Sequence, residues 1–147
     1  MNYDDIWRGC SQSLLIETFI PLKPMPKQSF RMGNGRGYTP KKLVEYVKGM
    51  KQHWLQTWTT KPVSYCLFVS FCFCSKFREA DKTFATKATF MINLNNADLD
   101  NYTKPCQDAM QGIVFQNDKQ VCFLHACKVR TFKEGVGIQV FTVNQAF

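Results

Sequence analysis

The sequence predicts an α+β fold: a single small domain built on a mixed β-sheet flanked by two helices. Three observations carry that prediction. The stretch "VSYCLFVSFCFC" (63–74) is so rich in β-branched and aromatic residues that it reads as a strand, and a central one. Leu43, Val47, Met50, Trp54 and Trp58 recur at spacings of four, three, four and four, which marks one apolar face of a helix. The predicted order over 147 residues is strand, long loop, helix, strand, loop, helix, strand, strand, with no repeat and no second domain.

In chain order, residues 1–12 form an extension, and "SLLIETFIPL" (13–22) is the first strand. Alternation puts Leu14, Ile16 and Thr18 on one face and Leu15, Glu17 and Phe19 on the other. Residues 21–42 hold four prolines and three glycines, too many for a regular helix, and Asn34-Gly35 suggests a tight turn. The long helix begins at Thr39-Pro40, with Thr39 as cap and Pro40 at the first helical position. Residues 76–90 lose periodicity and read as a polar, basic, mobile loop. A short helix covers 102–111 with Tyr102, Cys106, Ala109 and Ile113 on its buried side, and Pro105 is expected in its first turn. Residues 120–132 and 136–143 are expected to pair as an antiparallel hairpin.

Nineteen Lys and Arg against eleven Asp and Glu give a formal charge of +8, which points to a polyanionic partner, most commonly nucleic acid. No apolar run approaches the roughly 18 residues of a membrane span. The start lacks the basic-then-apolar layout of a secretory signal. Seven cysteines, several in apolar strands, read as reduced core thiols of a cytoplasmic protein rather than a disulfide framework or a zinc site. There is no glycine-rich nucleotide-binding loop, so no nucleotide cofactor is expected.

Against this basic background, residues 95–121 hold four of the eleven acids. If the segment is extended, Asp98 and Asp100 share a face, and two such anions favour a shared cation, Mg²⁺ or Mn²⁺ by their hard oxygen donors. Asp118 immediately precedes the next strand, where it would complete the three-carboxylate cage of a metal-dependent nuclease; a turn cap is the alternative. Lys104, near a helix N-terminus, is poorly placed for the helix dipole and can reach back to the acids or a phosphate; an i,i+4 pair with Asp108 is the alternative.

The block "DLDNYTKPCQDAMQGIVFQNDKQV" resembles the signature of RusA-like Holliday-junction resolvases, endonucleases typically encoded by phages and prophages. The matching residues are Asp98, Asp100, Asn101, Lys104, Asp108-Ala109-Met110, Gly112-Ile113, Asp118 and Gln120-Val121. The basic "KPMPKQSFRMGNGRGYTPKK" is similar to the family's N-terminal segment, and the likeness spans roughly residues 14–143. It implies metal-binding Asp98, Asp100 and Asp118, a catalytic Lys104, and a homodimer that nicks the two like-polarity strands of a four-way DNA junction in recombination and repair. One departure is Asn117, where the family usually has a second acid beside Asp118; Asn117, like Asn101, would then support the ligands rather than carry their charge. The cleavage products implied are a 5′-phosphate and a 3′-hydroxyl.

DNA contacts are expected from Lys27, Arg31, Arg36, Lys41 and Lys42 in the first basic stretch, and from Lys76, Arg78, Lys82 and Lys87 in the second. Phe30 or Tyr38 could wedge into the junction or simply pack the loop. The rival readings are a branched-DNA-binding protein without cleavage and a nuclease of flaps or other branches.

Overall fold

The computed structural model describes residues 1–27, 31–33, 36–38, 40–94 and 97–145, with backbone alone for 31–33 and 36–38. Its frame is a five-stranded mixed sheet in the order β1-β7-β4-β6-β5, with the two longer helices packed on one face and the short N-terminal helix against the other. The strands are β1 (Cys10–Ile20), β4 (Leu67–Lys76), β5 (Phe90–Ile92), β6 (Val121–Thr131) and β7 (Gly135–Gln145). A separate pair, β2 (Arg31–Gly33) and β3 (Arg36–Tyr38), runs antiparallel with Gly33 opposite Arg36. The Asn34-Gly35 turn between them lies outside the described residues, as do Thr39 and Phe30.

β4 is central, as its composition predicts, and alternates cleanly. Leu67, Val69, Phe71 and Phe73 are buried against the helices. Helix α2 (Lys41–Thr57) covers that face with Leu43, Tyr46, Met50 and Trp54, while Val47 and Trp58 pack at its margin. Each fully buried side chain of this kind contributes about 1.5–3 kcal/mol. Pro40 occupies the N-cap position rather than the first helical one, with no side-chain cap.

Three sequence expectations change in the sheet. The last two strands do not form a hairpin, because β4 lies between them, parallel to β6 and antiparallel to β7. The connection after Thr131 therefore crosses two strand spacings, roughly 10 Å, over the end of β4. It lands on Gly135, where a Cβ would sit 2.4 Å from the Phe19 ring. In β1 the register shifts between Leu14 and Ile16, so Leu14 pairs with Phe141 and Ile16 with Val140. This bulge puts Leu14 and Ile16 on opposite faces. The thiols are also not core residues as a class. Only Cys74 and Cys106 are buried, and Cys72, Cys74 and Cys127 cluster on the sheet face opposite the core side chains Leu67, Val69, Phe71 and Phe73, with Cys72 and Cys74 Sγ 3.7 Å apart.

The extension forms α1 (Tyr3–Arg8), capped by a reciprocal Asn2/Asp5 box, and its Trp7 packs edge-on against Phe68 and Phe123. Residues 76–90 are less irregular than their sequence suggests. A 3-10 turn (Glu79–Asp81) runs into one helical turn, α3 (Lys82–Ala85), before edge strand β5. No helix among the described residues is long and apolar enough to cross a membrane.

Candidate active site

Helix α4 (Leu99–Met110) begins three residues earlier than its periodicity suggests, and this changes the geometry of the acids. Asp98 is the N-cap residue, with extended backbone, yet its side chain makes no capping bond. An N-cap aspartate ordinarily accepts from the first-turn N–H groups, so this exposed carboxylate is not committed to the helix. Asp100 lies in the first turn, where the positive end of the helix dipole favours an acid. The two therefore do not alternate along an extended segment onto one face. Asp100 instead stands in one stripe with Lys104 and Asp108, at i, i+4 and i+8.

Lys104 makes the i,i+4 pair with Asp108 and also reaches Asp118. Its Nζ donates to Asp118 Oδ2 at 3.3 Å and lies 3.5 Å from Asp108 Oδ1. Asp108, and then the bond to Asp118, hold the Lys104 ammonium above its ordinary pKa. All three side chains are close to half exposed, so each pair contributes only tenths of a kcal/mol. Because α4 starts at Leu99, Lys104 is in the second turn, where the dipole has largely faded, and the expected electrostatic penalty does not apply.

Asp118 opens a 3-10 turn (Asp118–Gln120) that leads into β6. Asn117 caps the turn, its side chain accepting from the Lys119 N–H at 2.9 Å. Gln120 holds the turn in place. Its Oε1 accepts from the N–H groups of Gln116 and Asn117, and its Nε2 donates to the carbonyls of Val63 and Tyr65. Sequence reasoning assigned Gln120 no role, although Asn117-x-x-Gln120 is a capping-box pattern. Lys128 was also missed. It lies on β6 beside the helices and donates to the Ala97 carbonyl at 2.9 Å, which steadies the chain entering α4. A lysine at an inward-facing position of the strand was the available signal.

Pro105 is not in the first turn but at the seventh residue of α4, where a proline costs about 3 kcal/mol by removing an N–H and crowding the preceding turn. The carbonyl it leaves without an intrahelical donor is that of Asn101. That oxygen accepts the backbone N–H of Lys27 at 2.6 Å. The missing bond thus becomes the anchor that ties the first basic stretch to the acidic helix.

Among the described residues no group of three His, Cys, Asp or Glu side chains stands close enough to hold a metal ion. The donor chemistry nevertheless suits a hard dication. Asp98, Asp100 and Asp118 offer only carboxylate oxygens, Asp98 is not used as a cap, and the cation now beside Asp118 is Lys104. Burial pushes the Cys106 thiol, on the same helix, up to about 12.

The expected DNA contacts divide. Lys27, Lys42, Lys76 and Lys87 are exposed and unpaired among the described residues, and Lys41 lies 3.9 Å from Glu45. Arg78 forms two side-chain bonds to buried Asp81, and Lys82 is 2.6 Å from Glu79. The side chains of Arg31, Arg36 and Tyr38 lie outside the described residues. With this geometry in place, comparison with known proteins finds that the family model described as Endodeoxyribonuclease RusA matches residues 21–141. No curated protein matches the chain.

Proposed function

The chain belongs to the RusA endodeoxyribonuclease family, and on that premise we propose that it resolves four-way DNA junctions by paired, symmetric, Mg²⁺-dependent nicks. It would act as a homodimer on branched DNA in the cytoplasm, in recombination and repair, since a two-fold pair of sites matches the near two-fold symmetry of a junction. The observation that carries the reading is the Lys104–Asp118 bond. It joins the motif's lysine to its third acid, fourteen residues on, along the exposed stripe that contains Asp100.

Asp98, Asp100 and Asp118 are the residues that would hold Mg²⁺ or Mn²⁺. Such a cation, when bound, supplies Lewis acidity to a phosphate oxygen and to an attacking water. The chain's own contribution follows from its residues. Lys104 exchanges its bond to Asp118 for a non-bridging phosphate oxygen and offsets the charge that builds there. Gln120 and Lys128 keep the turn at Asp118 and the entry to Asp98 in register. No side-chain nucleophile is required. Hydrolysis leaves a 5′-phosphate and a 3′-hydroxyl.

Incubating the protein with a synthetic four-way junction, with and without Mg²⁺, tests this directly. Paired nicks at symmetric positions are expected, and Asp100→Asn should lower the cleavage rate about a hundredfold or more with junction affinity intact. Normal cutting by that variant would remove Asp100 from the site. A second reading, binding of branched DNA without cleavage, is favoured by the scattered carboxylates and by Asn117 serving as a cap. Tight junction binding with no product in either Mg²⁺ or Mn²⁺ would select it.

A further inference from the structure

Between α2 and α4 runs a groove of about 430 Å³, of the size that holds a small organic group. Its floor is apolar, made by Leu43, Val47 and the ring of Pro105, and its rim carries Lys27, Lys48 and Lys51. We propose that this groove seats an unpaired nucleotide of the DNA strand next to the acidic site, its base on the apolar floor and its flanking phosphates on the three lysines.

Charge selects the occupant. Among the described residues none of the three ammonium groups is ion-paired, and all three side chains are exposed. The one acid at the rim, Asp108, is already 3.5 Å from Lys104. A strand lying here would meet three free positive charges over an apolar surface, which suits a polyanion carrying flat, weakly polar bases. Position selects the strand. Pro105 and Asp108 border the groove from α4, and Lys104 and Asp108 belong to the stripe that carries Asp100. Lys27 is held at the rim by its own backbone N–H on Asn101. An unpaired nucleotide in the groove would therefore continue into the acidic site, and nucleotides lose their pairing most readily at a branch point.

The inference rests on the reading that the chain acts on branched DNA, and its test separates the two. Fluorescence anisotropy would follow binding of labelled oligothymidylate and of an abasic strand of equal length. The expected result is at least fivefold weaker binding of the abasic strand. The exposed-surface variant Lys48→Glu/Lys51→Glu should bind oligothymidylate at least tenfold more weakly. Its salt slope should fall by about 1.4, two single-strand phosphate contacts. The charge-matched control Lys61→Glu/Lys133→Glu should stay within about twofold of the unmodified protein, far less than the groove pair. Equal binding of abasic and normal strands, or equal losses in the two double variants, would overturn the proposal. So would a groove-dependent preference for an acidic, leucine-bearing peptide over oligothymidylate, which would make it a peptide site. If the unmodified protein binds as described yet cuts no junction, the nuclease reading falls and the groove stands. If it cuts normally while the groove variant binds like the unmodified protein, the groove falls and the nuclease stands.

Discussion

Residues 21–42 and 76–87 each carry a run of lysines and arginines, but only the second contains acids, Glu79 and Asp81. In the second stretch those acids serve the local fold. Buried Asp81 accepts the backbone N–H of Arg78 at 2.8 Å and two bonds from its guanidinium, and Arg130 lies 4.0 Å away. Lys82 closes on Glu79. The first stretch has no acid of its own and is fastened through its backbone, by the Lys27 N–H on the Asn101 carbonyl, which leaves the Lys27 ammonium at the surface. Equal positive charge in sequence therefore does not mean equal charge offered to a partner. The second stretch uses Arg78 and Lys82 to hold its own shape, and the first presents Lys27 beside the acidic helix.

The strongest test of this contrast is a pair of double truncations. Lys27→Ala/Lys42→Ala should weaken junction binding about tenfold and lower the salt slope by about 2, whereas Arg78→Ala/Lys82→Ala should cost less than about threefold. Equal losses in a salt titration would erase the distinction. Asp81→Asn should act in the opposite sense, lowering the thermal midpoint by several degrees and opening 76–90 to protease, while DNA affinity holds or rises as Arg78 is released. A loss of affinity there would mean that the folded shape of the second stretch is itself a DNA platform.

Pro105→Ala sharpens the other side. It returns an N–H to α4 that competes with Lys27 for the Asn101 carbonyl. The thermal midpoint should rise, since an interior proline is relieved, while junction affinity falls about threefold. Joint measurement of melting and binding checks both signs.

Acid titration should give the smallest effect. Burial lowers the pKa of His53, whose Nε2 lies 2.7 Å from Thr18 Oγ1, below its ordinary 6.5. The unfolded chain takes up that proton first, so stability declines as pH falls below 6.5. Asp81 is held below its ordinary 3.8 by the Arg78 bonds. Its contribution is complete above 3.8 and is lost only as pH falls further, through the depressed folded value. A melting series from pH 7 to about pH 5 should therefore show a shallow decline that Thr18→Val changes and Asp81→Asn does not.

Much of the frame was legible locally. The α2 stripe and the composition of β4 state their structure through period and side-chain shape, and both elements lie where the sequence puts them within a few residues. The acidic block was legible as a set of residue types, the carboxylates of Asp98, Asp100 and Asp118 with the ammonium of Lys104. Their arrangement was not. A helix can start at Leu99 only if the preceding chain is supported, and that support includes Lys128 reaching the Ala97 carbonyl from β6. Pro105 could sit deep in α4 only because Lys27, remote in sequence, takes the carbonyl it abandons. The expected hairpin failed for the same kind of reason. Short spacing between β6 and β7 favours pairing, but β4, bearing more buried apolar surface, inserted between them and took both ladders. Local periodicity and residue chemistry are properties of a few neighbouring residues, so the sequence alone determined them. Partner choice, helix start and the sharing of charge depend on competition between distant segments for the same hydrogen bonds and buried surface, and only the folded chain decided them.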